Sequence, residues 1–174
     1  MMSIIITENR NDDYPIPDEG IASAVCVDVV ALGKIETPWG PKEKVSLIFE
    51  LEDTDVEGNR YILGKRYTRS LNEKSNLRKD LERWRIKKFK PQELKDGFDL
   101  ESLVGVSCLL FISHNETDQR TYANIDSIMP PEKGDDGRPQ WLAVRPSGNY
   151  IRVINREGYQ PPEEYAKSVN GARE

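Results

Sequence analysis

In VSLIFEL, residues 45–51, an apolar side chain falls on every second position: Val45, Leu47, Phe49 and Leu51. A period of two fits an extended strand with one buried face, because successive side chains of a strand point to opposite sides. The run is one of five such segments, and their order constrains the fold more than any other feature. IASAVCVDVVALGKIE (21–36), rich in Val, Ile and Ala, reads as a long buried first strand, and EKVSLIFELED (43–53) is the second. RYILGKRYTR (60–69), VSCLLFISHN (106–115) and RTYANIDSIM (120–129) are the third, fourth and fifth. TPWGPK and TDVEGN supply the loops between the first three.

One helix is predicted, between strands three and four. Leu77, Leu81 and Trp84 lie at i, i+4 and i+7 and form a single apolar stripe. Ser70 with Glu73 three residues later predicts a capping box at its start. The following PQELKDGFDLESLVG reads as a connector with a short helical turn about residues 100–103. The Pro, Gly and Asp density of PPEKGDDGRPQ marks the end of the domain. The expected organisation is an N-terminal arm (1–20), a domain (21–129) and a C-terminal extension (130–174) with material for one or two docked strands. Five strands with a helix between the third and fourth predict a mainly β fold, a five-stranded OB-fold-like Greek-key barrel. An SH3-type roll is the competitor, but it lacks a helix of this length at that place.

The charge is unevenly spread. The net value of −5 hides a balance of 12 Lys and Arg against 3 Asp and Glu in residues 60–90, beside 4 against 13 in residues 1–59. Local field steers association, so an acidic chain can still hold a polyanion. The two cysteines, Cys26 and Cys108, sit in strand-like runs and are expected as buried thiols of a reducing, cytoplasmic setting. One His and two separated Cys do not make an ordinary zinc site, so no metal is expected. No apolar run has the length of a membrane span, and the start of the chain lacks the basic region of a secretory signal.

SLNEKSNLRKDLERWR, FDLESLVGVSCLLFISHN and TYANIDSIMP are similar to segments of small proteins from phage and prophage replication–recombination gene clusters. That family is generally taken to be single-stranded-DNA-binding and OB-folded. The similarity runs over about residues 16–130 and leaves the extension out. It implies DNA coating without sequence preference, in the host cytoplasm. The terminal EEYAKSVNGARE departs from the acidic tail with an apolar tip found in bacterial housekeeping single-strand-binding proteins.

Binding single strands without reading sequence needs cations along the phosphates and rings against the bases. Strand three alternates Tyr61, Leu63, Lys65, Tyr67 and Arg69 on one face with Arg60, Ile62, Gly64, Arg66 and Thr68 on the other. The first set mixes rings with cations and is the expected platform. Trp39, at the tip of the first hairpin, is a second stacking candidate, and Tyr122 a third. Lys42, Lys44, Lys65, Arg66 and Arg69 are the expected phosphate contacts, ahead of the helix cations Arg78, Lys79, Arg83, Arg85, Lys87 and Lys88.

No catalytic constellation stands out. His114 has no recognisable nucleophile and acid beside it, and Asp53, Asp55 and Glu57 lack the spacing of a calcium loop. A non-enzymatic protein without cofactor is expected. Three classes stay open: a single-stranded-DNA-binding protein, an OB-fold interaction module gripping a recombinase, nuclease or host-defence protein, or a virion or scaffold component. In each, residues 130–174 are available to pair subunits into a homo-oligomer.

Overall fold

A computed structural model describes residues 15–162. The five expected strands form, as β1 (Gly20–Thr37), β2 (Gly40–Thr54), β3 (Arg60–Thr68), β4 (Ser107–Glu116) and β5 (Thr121–Met129). They make one open sheet in the order β3-β2-β1-β4-β5, with every pairing antiparallel. No backbone ladder joins β3 to β5 among the described residues, so the expected closed barrel is not seen as such. The two edges do come together, and the Lys65 ammonium of β3 donates to the Asp126 carbonyl of β5 at 3.2 Å.

β1 serves two neighbours because it is long and bent. Its first six residues pair with β4, and the stretch from Ala24 to Thr37 pairs with β2. Register shifts between Cys26 and Asp28 and between Ala31 and Gly33 turn the strand, and Gly33 takes the positive φ of 79°. The sheet therefore curls over an interior filled by alternate residues: Ala24, Cys26, Leu47, Phe49, Leu51, Leu110 and Ile112.

Helix α1 (Asn76–Arg85) closes one side of this interior with Leu77, Leu81 and Trp84, the stripe read from the sequence. Trp84 packs its ring 5.8 Å from that of Phe49 and donates its indole N–H to the Ser107 carbonyl at 2.9 Å. The helix starts later than the Ser70–Glu73 pair suggests. Its cap is Ser75, whose Oγ accepts from Arg78 N, while Ser70 Oγ is engaged by Asn72 N in the preceding turn. A second helix, α2 (Pro91–Asp96), occupies part of the expected connector. Its signal was in the sequence: Pro91 at the first helical position, with Glu93 accepting from Lys90 N. The expected turn at Leu100–Leu103 forms as a 3₁₀ helix.

The extension adds no strand to the sheet among the described residues. It instead lies over the outer side of β1 and β2, where Val144 and Tyr150 pack on Val25, Val27 and Ile48. Two buried carboxylates anchor it. Asp28 accepts from the Tyr150 hydroxyl, Arg152 Nε and Val153 N at 2.8–2.9 Å, and Glu50 accepts from Ser147 N and Oγ and from Arg60. Arg152 also makes a bidentate pair with Glu101. Ser107 Oγ exchanges hydrogen bonds with both backbone groups of Val144. The cysteines are buried free thiols, and burial pushes Cys26 up to about 12. Among the described residues no helix is long and apolar enough to cross a membrane.

Candidate nucleic-acid interface

The alternation of β3 forms as expected, but the face expected to meet solvent is the one that meets the core. Tyr67 is buried, 3% exposed, against core residues, and its hydroxyl donates to Asp80 Oδ2 of α1 at 2.6 Å. Burial, and after it the Asp80 charge, holds that hydroxyl protonated far above the usual tyrosine range. Tyr67 is therefore unavailable for stacking. Tyr61 is half-buried and packs against the same core. Lys65 shares Asp80 with Tyr67, its Nζ 2.8 Å from Oδ2, and so spends its charge on closing β3 over α1 and β5. Arg69, just beyond the strand, is more than half exposed and lies 3.7 Å from the Glu43 carboxylate.

The opposite row is the outward one. Arg66 is exposed and has no ion-pair partner among the described residues. Ser46 lies across from it, and the next outward pair is Lys44 and Thr68, with Lys44 Nζ donating to Thr68 Oγ1 at 2.8 Å. Lys42 follows two residues from Lys44 and is also exposed and without an ion pair among the described residues. These cations lead to the β1–β2 hairpin tip. There Thr37 Oγ1 accepts from Trp39 N at 3.1 Å and donates to the Gly40 carbonyl at 2.6 Å. Gly40 closes the turn at φ 99°, a conformation glycine adopts without a Cβ clash. The turn is braced, yet Trp39 itself is 83% exposed.

Tyr122 stands apart from that group, on the outward side of β5 with the Arg120 guanidinium 5.4 Å from its ring centre. Sequence reading missed two other outward residues. Ile21 and Phe111 are direct cross-strand partners, 64% and 45% exposed. Their signal was the inward alternation of Leu110 and Ile112, which turns Phe111 out.

The charge surplus of residues 60–90 is half spent inside the molecule. Arg60, Lys65, Arg69, Arg78, Arg83 and Arg85 all pair with carboxylates, so six of the twelve cations there are neutralised locally. Glu43, Glu50 and Glu93 are supplied from outside the segment, which is why a count along the chain overstates the field. The acids of the β2–β3 turn have a local task. Asp55 accepts from Glu57 N and Asn59 N and holds the turn. His114 fastens the chain ahead of β1, its ring Nε2 2.7 Å from the Pro17 carbonyl.

No known family matches the chain, and no curated protein is similar to it in sequence.

Proposed function

We propose that the protein binds single-stranded DNA with little sequence preference, on an OB-fold-like barrel. The strand order β3-β2-β1-β4-β5, with the β3 and β5 edges brought together at Lys65 and Asp126, supports the barrel. One observation carries the binding reading. An almost fully exposed Trp39 sits on a braced hairpin tip, at the end of an outward row of Lys42, Lys44 and Arg66, of which Lys42 and Arg66 have no carboxylate partner among the described residues. A ring that contacts bases together with cations that follow phosphates is the combination such binding needs. Tyr122 is a separate stacking candidate on β5, while Tyr61, Lys65 and Tyr67 belong to the scaffold.

The test is fluorescence polarisation of labelled oligo-dT at two salt concentrations. Three phosphate contacts give a slope of log K against log salt of about −2, at roughly 0.7 per contact on a single strand. No binding at low salt overturns the reading. The second reading, an interaction module for a replication, recombination or host-defence protein, is favoured by the outward apolar pair Ile21 and Phe111, 64% and 45% exposed. Its signature is absent oligo-dT binding with an intact fold.

A further inference from the structure

Between β3 and the C-terminal extension lies a groove of about 380 Å³. One side is the start of the outer row of β3, Arg60 and Ile62, and the other is Tyr150, Ile151 and Arg156 of the extension. Ile62 and Arg66 stand four residues apart on one strand, about 13 Å along it. Gly64, between them in that row, is exposed and has no side chain to block the way. Two cations and one carboxylate line the groove. Arg60 is spent on the fold, its Nη1 donating to Glu50 at 3.0 Å and to the Arg145 carbonyl at 2.7 Å. Arg156 is not. Its guanidinium carbon is 5.3 Å from the Tyr150 ring centre, and its Nε donates to the Ile151 carbonyl at 3.0 Å. It is exposed and has no ion-pair partner among the described residues. Ring and carbonyl thus hold the guanidinium and leave its two Nη groups free to donate. Ile62 and Ile151, 43% and 60% exposed, put apolar surface beside that cation.

We propose that the C-terminal extension supplies a second contact for the same DNA strand, a base pocket with a phosphate site, an inference that rests on the single-strand reading. Beyond Arg66 the strand crosses Gly64, sets a base against Ile62 and Ile151, and places a phosphate on the Nη groups of Arg156. The side-chain amides of Asn59 and Asn149 belong to the same groove. Each carries donors and an acceptor, so together they meet the edge of any base and impose no strong preference. The acids of the β2–β3 turn follow just past Glu50. Glu52, Asp53, Asp55 and Glu57 have no ion pair among the described residues. Their charge repels phosphate, so the strand leaves the protein at this groove and does not run on over the turn.

The experiment is fluorescence polarisation of the full chain with labelled oligo-dT of about four and about twelve nucleotides, the range that one such fold covers. The longer probe is expected to bind at least roughly tenfold tighter, with a salt slope steeper by about 0.7, the one added phosphate contact. Arg156→Gln is expected to weaken the longer probe about fivefold and to abolish that difference in slope, and Arg156→Lys to restore the slope. Ile151→Glu is expected to weaken the longer probe by roughly tenfold or more, through lost apolar contact and an added negative charge. All three variants are expected to melt with the parent, since both side chains are exposed. The shorter probe, held at the Trp39 end, is expected to bind parent and variants alike. Failure of the parent to bind either probe overturns the single-strand reading and this site with it. A parent that binds the longer probe, with Arg156→Gln and Ile151→Glu both retaining its affinity, overturns this site alone. An equal loss for the two probes does the same.

Discussion

Arg66 and Tyr67 are neighbours in the chain and opposites in the fold. The inner row of β3 carries Lys65 and Tyr67, both engaged by the one buried carboxylate of Asp80, which also accepts from Arg83 at 2.7 Å. The outer row carries Arg66 and, across the ladder, Lys44, with Lys42 farther along β2. By residue type the two rows are nearly interchangeable, since each mixes cations with apolar groups. They differ in what lies opposite. A helix that brings its own acid converts a ring and an ammonium into structure. On the outer row Arg60 is taken up by Glu50, but no such acid faces Arg66, which stays available to a ligand. An aromatic–basic alternation is therefore not a binding signal until it is known which side the neighbouring element covers.

The largest expected effect tests the inner row. Asp80→Ala strands the Lys65 charge and the Tyr67 hydroxyl at a buried position, and it is expected to cost about 3–5 kcal/mol in a denaturant melt. A loss under 1 kcal/mol, on the order of a surface pair, breaks the contrast. Next comes Trp39→Ala, whose ring touches no core. It is expected to leave stability within about 0.5 kcal/mol of the parent and to weaken oligo-dT binding by about 1–3 kcal/mol. If affinity is retained, the hairpin tip is not part of the surface.

Tyr67→Phe sharpens the same point from the other side. Removing the donor to Asp80 is expected to lower stability by about 1–2 kcal/mol, with no change in oligo-dT affinity. A selective loss of binding there would return the inner row to the site. The smallest effect on the fold is expected from Arg66→Ala, within about 0.5 kcal/mol in a thermal melt. Its mark is on salt dependence: the slope of log K against log salt should become shallower by about 0.7, one phosphate contact.

The strands were legible because a two-residue period needs no partner to be read, and the five runs form within a few residues of their expected ends. The Leu77, Leu81 and Trp84 stripe was legible for the same reason at the helical period. Helix α2 was hidden by its small size and by the absence of a buried residue that would give it a stripe. The Ser70 cap was misread because serines both at the turn and at the helix start satisfy local backbone donors, and the sequence does not say which turn continues.

At the site, Trp39 follows from hairpin position and the outward Lys42 and Lys44 from the alternation of β2, whereas the outward place of Arg66 reverses the face expected of β3. The removal of Lys65 and Tyr67 does not follow from the sequence, because Asp80 lies fifteen and thirteen residues away and meets them only through packing. The same holds for the extension. Asp28 and Glu50 read as two acids in apolar strands, and their partners in the extension stand 97 to 125 residues later in the chain. What the sequence alone determined was local: periodicities, turns, the order of elements and the two faces of each strand, all set by interactions within a few residues. Which face of β3 is inside, which cations are neutralised and what covers the outer side of β1 were decided by tertiary structure. Those outcomes rest on charge pairs and buried contacts between distant segments, and no local pattern encodes which segments will meet.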